Sequence, residues 1–241
     1  MEHVVFDGVE LTSSELVALV KSRPMSKLDV QLEHVSGTDG FMALGASILP
    51  EPVTVKLVAP NAGQRERRAL ARWLGSVLYA KEPKKLSLSS DDGLWCYAML
   101  AKRPDLSEFV TSGSVMVSWQ PMHAAMYGQH RSEVVPSGGS VTVNVRGTYP
   151  TPLRITAAAA TRDASTGLWG LLLDNDKFLQ VPLTTTSTLD ISCEDRTCIV
   201  GGYVTLPTLE SDWLEVDNGT HVLENYLGGG ACTVEWYERW L

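Results

Sequence analysis

Basic charge is scarce in the second part of this 241-residue sequence. Residues 136–241 hold six basic side chains against 13 acidic ones, with Lys177 the single lysine, whereas residues 1–135 hold 14 against 15. The total of −8 thus divides into −7 and −1. The basic footprint of a nucleic-acid-binding protein is absent, and the break near residue 135 points to two domains. Long apolar runs are lacking as well. No stretch of about eighteen such residues occurs, which excludes a helical membrane span. The opening MEHVVFDGVELTSSELV carries acids where an export signal needs a basic region, so no signal peptide is expected. Only Cys96, Cys193, Cys198 and Cys232 are present, without the paired spacing or nearby histidines of a zinc site. Cys193 and Cys198 flank a polar turn in ISCEDRTCIV, and either a cross-hairpin disulfide or two buried thiols would suit that geometry.

Recognisable catalytic signatures are missing too. The sequence has no G-x-S-x-G elbow, H-E-x-x-H helix, phosphate-binding glycine loop with lysine, or dinucleotide fingerprint. Its histidines (His3, His34, His123, His130 and His221) are scattered. Carboxylate pairs of the kind a glycosidase needs are available at Asp91/Asp92, Asp174/Asp176 and Asp212/Glu215. Each lies in a turn-forming stretch that already accounts for it. No enzyme activity, cofactor or metal site is expected.

The pattern that is present is mostly β. KLDVQLEHV sets Leu28, Val30 and Leu32 on one side, and PVTVKLVA does the same with Val53, Val55 and Leu57. Asp92-Gly93 separates two strand-like runs, a hairpin signal, and SGSVMVSWQPM reads as a further strand. One amphipathic helix is predicted in QRERRALARWLGSVLYAKE, where Leu70, Trp73, Leu74, Val77 and Leu78 share a face. Arg65, Arg67, Arg68 and Arg72 crowd its first turns, where the helix dipole disfavours cations. They form either a solvated face or a contact for an acidic partner.

SGTDGFMALGASILPEP, at 36–52, is too glycine-rich to predict regular structure and long for a turn. Its Gly37, Asp39 and Gly40 punctuate a segment carrying Phe41, Met42, Leu44, Ile48 and Leu49. Apolar residues on such a loop want burial, supplied by a neighbouring subunit or by its own domain. VVPSGGS at 134–140 reads as a junction, giving domains 1–135 and 136–241. Beyond it, short strands at regular spacing suggest an antiparallel sandwich or barrel. Aromatic residues gather there, and Trp169 and Trp213 are candidates for stacking on a carbohydrate.

The order of these features resembles one family. FDGVEL, Arg23-Pro24, the Ser36-Gly37-Thr38-Asp39-Gly40 loop, the helix with Trp73-Leu74, the hairpin LWCYAMLAKRPDL and the strand end Gln120-Pro121-Met122 follow the N-terminal domain of distal tail (Dit) proteins of siphophages infecting Gram-positive bacteria. STLDISCEDRTCIV, SDWLEVDNGTHVLENY and the closing ACTVEWYERWL are similar to its C-terminal domain. Thr38 and Met122 depart from that pattern, which has a basic residue and an aromatic there. The resemblance implies a mainly β fold: an N-terminal β-sandwich or barrel-like, tail-tube-type domain with one α-helix, then a C-terminal galectin-like antiparallel β-sandwich. Whether residues 231–241 return to the N-terminal domain stays open.

The same resemblance implies a structural virion protein, a homo-hexameric ring hub at the tail tip, made in the host cytoplasm. Its expected partners are the tail tube protein and the tail-associated lysin or tail fibre hub, with the tape measure protein, receptor-binding proteins and host cell-wall carbohydrate as further candidates. A hub of this kind leaves a channel for DNA, and few basic groups suit a passage through which DNA must slide.

Overall fold

The computed structural model describes residues 2–37 and 39–241, in two compact units: one runs to Tyr127 and includes Leu241, the other is Gly128–Trp240. The sequence break near 135 falls within β10, a few residues beyond the point where the units divide.

The first unit opens with β1 (Val4–Phe6) and β2 (Val9–Glu10), joined by a tight turn at Asp7-Gly8 with both residues at positive φ. Then follow β3 (Val17–Ser22), β4 (Lys27–Glu33), β5 (Met42–Leu49), β6 (Val53–Val58), α1 (Gln64–Leu78), β7 (Lys84–Leu88), β8 (Trp95–Lys102), α2 (Leu106–Ser112) and β9 (Ser114–Pro121). Antiparallel pairing runs in the order β2-β1-β7-β8-β9-β6-β3. A bridge between Glu2 and Ala18 ties the start of the chain to β3, so the sheet curls back on itself. β6 shows why these strands form: Val53, Val55 and Leu57 are buried while Thr54, Lys56 and Val58 are only half so. Inward residues of these strands share one core with Ala71, Leu74 and Leu78 of α1. Truncating a leucine in such a core costs about 2–5 kcal/mol.

α2 is an addition to the single predicted helix. The Asp105 carboxylate caps it by accepting from the Ser107 and Glu108 backbone N–H groups, and Gly113 ends it at φ 74°. Asp-x-x-Glu followed by a glycine is a helix start-and-stop signal that begins at the end of the predicted hairpin run LWCYAMLAKRPDL and continues beyond it.

β10 (Met126–Val135) leads into the second unit, where β11 (Ser140–Val145), β12 (Thr151–Pro152), β13 (Arg154–Ala160), β14 (Leu168–Leu173), β15 (Lys177–Pro182), β16 (Ser187–Ser192), β17 (Thr197–Val200), β18 (Tyr203–Val204), β19 (Glu215–Val216), β20 (Gly219–Leu227) and β21 (Cys232–Trp240) follow. Two antiparallel sheets, β18-β17-β16-β13-β21-β10 and β11-β20-β14-β15, supply one hydrophobic core. β21 pairs with β13 inside this unit, and only Leu241 is grouped with the first. The run TCIVGGYV is a hairpin, because Gly201 and Gly202 both take positive φ. All four cysteines are free and buried. Burial pushes the Cys193 and Cys232 thiols up to about 12 and those of Cys96 and Cys198 to about 11, which leaves them unreactive at neutral pH.

The β13–β14 connection is held by Asp163. Its carboxylate accepts from the hydroxyls and backbone N–H groups of Ser165 and Thr166. The Ser165 hydroxyl, then the Thr166 backbone, hold its pKa down at about 2 from an ordinary 3.8. A carboxylate depressed on folding contributes stability that is complete above the unfolded value and is lost as pH falls through the folded one. Asp163→Ala should therefore lower the melting temperature at pH 7. The difference from the parent should shrink between pH 4 and pH 2, as read by circular dichroism melts.

Candidate functional site

Among the described residues β4 and β5 pair only with each other. Residues 42–49, expected to lack regular structure, form a strand despite Gly45. The register, from Lys27 opposite Leu49 to Glu33 opposite Met42, pairs the inward backbone groups of both strands, and Leu44 is the extra residue of a bulge. Side-chain alternation places Leu28, Val30, Leu32, Ala43, Ala46 and Ile48 on one face, and Lys27, Asp29, Gln31, Glu33 and Ser47 together with Met42 and Leu49 on the other. The hairpin is thus amphipathic, yet its apolar face is open to solvent: Leu28 is 60% exposed and Leu32 57%. Phe41, 71% exposed, stands at the tip with its ring edge-on to His34 at 5.9 Å. Gly37, Asp39, Gly40, Met42, Leu44 and Leu49 are exposed and Ile48 is half-buried. Thr38, from the same tip loop, lies outside the described residues.

Since no second layer supports the arm, its direction depends on its root. The Ser26 hydroxyl donates to the Ala124 carbonyl at 2.9 Å, and the Gln120 amide donates to the Pro50 carbonyl at 2.8 Å. Arg23, between β3 and β4, forms an ion pair with Asp91 and also approaches the Met126 sulfur. Asp91 is buried, at the end of a short 3-10 turn, Ser89–Asp91. A cavity of about 330 Å³ lies under this root, lined by Arg23, Met25, Asp91, Cys96, His123 and Met126 among others. Neither partner of the pair stood out in the sequence as anything beyond a turn residue and an Arg-Pro step, because 68 residues separate them. Asp91→Ala would strand Arg23 without its carboxylate. It should cost about 1–3 kcal/mol in guanidinium unfolding and hasten limited proteolysis within residues 27–49.

The arginine face of α1 is only partly free. Arg67 turns inward, its guanidinium donating to the Thr111 carbonyl at 3.2 Å and packing where a Cβ on Gly113 would stand. Arg65, Arg68 and Arg72 remain exposed, at spacings that put them on one side of the helix.

Trp169 corrects the carbohydrate expectation. It is fully buried in the second core, on the inward side of β14 with Leu171 and Leu173, and offers no ring face to a sugar. Trp213 is partly buried against the same core. In two of the three carboxylate pairs one member is engaged structurally: Asp91 in the ion pair above, and Asp174 with the His221 ring at 2.7 Å and the Val222 N–H at 2.7 Å. The bond to His221 and that to the Val222 backbone outweigh burial and lower the Asp174 pKa.

Comparison with known proteins gives three results. Residues 146–240 match the family model described as siphovirus-type tail component, C-terminal domain. The distal tail protein of Bacillus phage SPP1 is 24% identical over 229 residues, spanning 88% of this chain and 86% of that protein. Among solved structures, the crystal structure of SPP1 Dit, described as a paradigm of the hub adsorption apparatus in phages infecting Gram-positive bacteria, superposes over 100% of both chains with a TM-score of 0.76 at 17% identity. The phage p2 baseplate, in its activated conformation with Ca, contains a chain that matches over 98% of both with a TM-score of 0.53 at 9% identity.

Proposed function

We propose that this chain, which belongs to the distal tail protein family, is a structural hub of a phage tail tip, assembled as a homo-hexameric ring through its first unit. The observation that carries the ring is the arm: an amphipathic hairpin with paired backbone and an uncovered apolar face is built to lie against another subunit. A closed ring gives every arm the same neighbour and leaves none over. The whole-length likeness to SPP1 Dit and to a chain of the p2 baseplate supports a place in the virion tail.

In this assignment the ring joins the tail tube protein on one side to the tail-associated lysin or other baseplate components on the other, leaving a channel for DNA. The second unit, a galectin-like sandwich, meets further tail components. Arg65, Arg68 and Arg72 offer a basic stripe to an acidic partner surface, and the chain resides in the host cytoplasm until the tail assembles. No residue is assigned a catalytic role.

The ring is tested by Phe41→Asp combined with Leu44→Asp. The parent should run at about six times its 26.3 kDa chain mass in light scattering and appear as rings in negative stain. The double variant should stay monomeric with an unchanged melting temperature, since both side chains face solvent in the single subunit. Rings formed equally by the variant would refute the exchange of arms.

A further inference from the structure

His221 closes a contact between two turns of the second unit that the hub role does not use. Its Nδ1 lies 2.7 Å from the Asp174 carboxylate, and its Nε2 lies 3.0 Å from the Asp217 carbonyl oxygen. Asp174 follows β14 directly, and Asp217 stands in the turn between β19 and β20. Both contacting atoms are acceptors. A carbonyl has no proton to give. Nor has the carboxylate: burial opposes its ionisation, but its bonds to His221 and to the Val222 N–H prevail and hold it below the ordinary aspartate value. A neutral imidazole has a single N–H and would set its other lone pair against one of these oxygens. Two such contacts to two acceptors require a proton on each ring nitrogen, so the ring that fits this site is the imidazolium.

The surroundings suit a positive ring. The β14–β15 turn brings Asp174, Asp176 and Lys177, and β19 with the turn after it brings Glu215 and Asp217. β11, whose Val143 stands opposite His221, brings no titratable side chain, and Arg146 follows it, beyond the Val145–Gly219 pair. On β20 itself, alternation turns Glu224 to the face away from the ring. Four acids thus meet two other cations. With its side chain 16% exposed, the ring has little water to replace a lost partner. We propose that His221 is a proton-operated clasp, which as imidazolium holds the β19–β20 turn to the β14–β15 turn and on deprotonation releases it. The release has a direction. The N–H that remains stays with the ionised carboxylate, the stronger acceptor, and the Nε2 lone pair then opposes the Asp217 carbonyl. Asp174 keeps its hold on a turn in which it and Asn175 both take positive φ, 51° and 56°, a region costly for residues other than glycine. The clasp is bounded on both sides: it is lost as pH falls through the lowered folded value of Asp174, and lost again when rising pH removes the ring proton. The inference goes beyond the hub role and stands without it.

The test uses the full chain with nitrogen-15 in its histidines. Ring signals are recorded by magic-angle-spinning NMR of the sedimented protein, and glutamine variants of His3, His34, His123 and His130 identify His221 by elimination. At about pH 7, where a free histidine is largely neutral, His221 should show both nitrogens protonated. One protonated nitrogen there would overturn the clasp. Amide hydrogen exchange of the parent, read by mass spectrometry and corrected for the ordinary effect of base, gives the second reading. Raising the pH until one ring proton is lost should quicken exchange within residues 217–221 by about ten-fold. His221→Gln, whose amide N–H can serve one acceptor but not both, should show the quickened rate at every pH. Exchange in the parent that is unchanged on loss of the ring proton, or that quickens equally in His221→Gln as pH rises, would overturn the clasp and leave the hub role untouched.

Discussion

A two-stranded sheet has two faces and nothing to put behind either of them. In most folds a hydrophobic sheet face is covered by a second layer of the same chain. Here the hairpin of β4 and β5 pairs its inner main-chain groups, gathers most of its apolar side chains, Leu28, Val30, Leu32 and Ile48, on one face, and among the described residues has no layer to bury them. Much of the first unit serves to hold that hairpin in place. Prolines at 24, 50 and 52 stiffen the two entry points. Two side-chain-to-carbonyl bonds and one ion pair to a buried carboxylate fix its root. The curled sheet and α1 give those anchors a rigid body to pull against. The ordering cost of the hairpin is thus met in the single subunit, while its apolar face stays open to solvent.

Legibility followed periodicity. Strands that bury one face, such as β6, and the amphipathic helix α1 were readable because apolar residues recur at the period of their element. The pairing of turn residues was equally plain where Asp92-Gly93 and Asp174-Asn175 impose positive φ. β5 was missed for a physical reason: MALGASIL, read alone, does not alternate, and its glycine argues against a strand. The alternation becomes visible only against β4, once the bulge at Leu44 shifts the register. The direction of Trp169 was hidden in the same way. WGLLL is a nearly continuous apolar run in a central strand, so which side faces the core is settled by the partner strands and not by the sequence. The root ion pair was out of reach altogether, since a contact across 68 residues leaves no local pattern.

The two units differ in how they present apolar surface. In the first, the exposed apolar face is carried by an extended arm, and α1 separately exposes Arg65, Arg68 and Arg72. In the second, it is a short sheet edge, Tyr203 and Val204 of β18, set in a region with acids and no basic side chains. The total of −8 conceals this division between a nearly neutral part, residues 1–135, and an acidic one, residues 136–241.

The bulge in the arm has one more consequence. A long, flat, apolar hairpin with two open edges is the template from which cross-β fibres grow, because each added strand recreates the edge it covered. The extra residue at Leu44 interrupts that ladder, and the bend it introduces makes an incoming identical strand fall out of step. A ribbon that is exposed in the single subunit is thereby steered away from an endless stack.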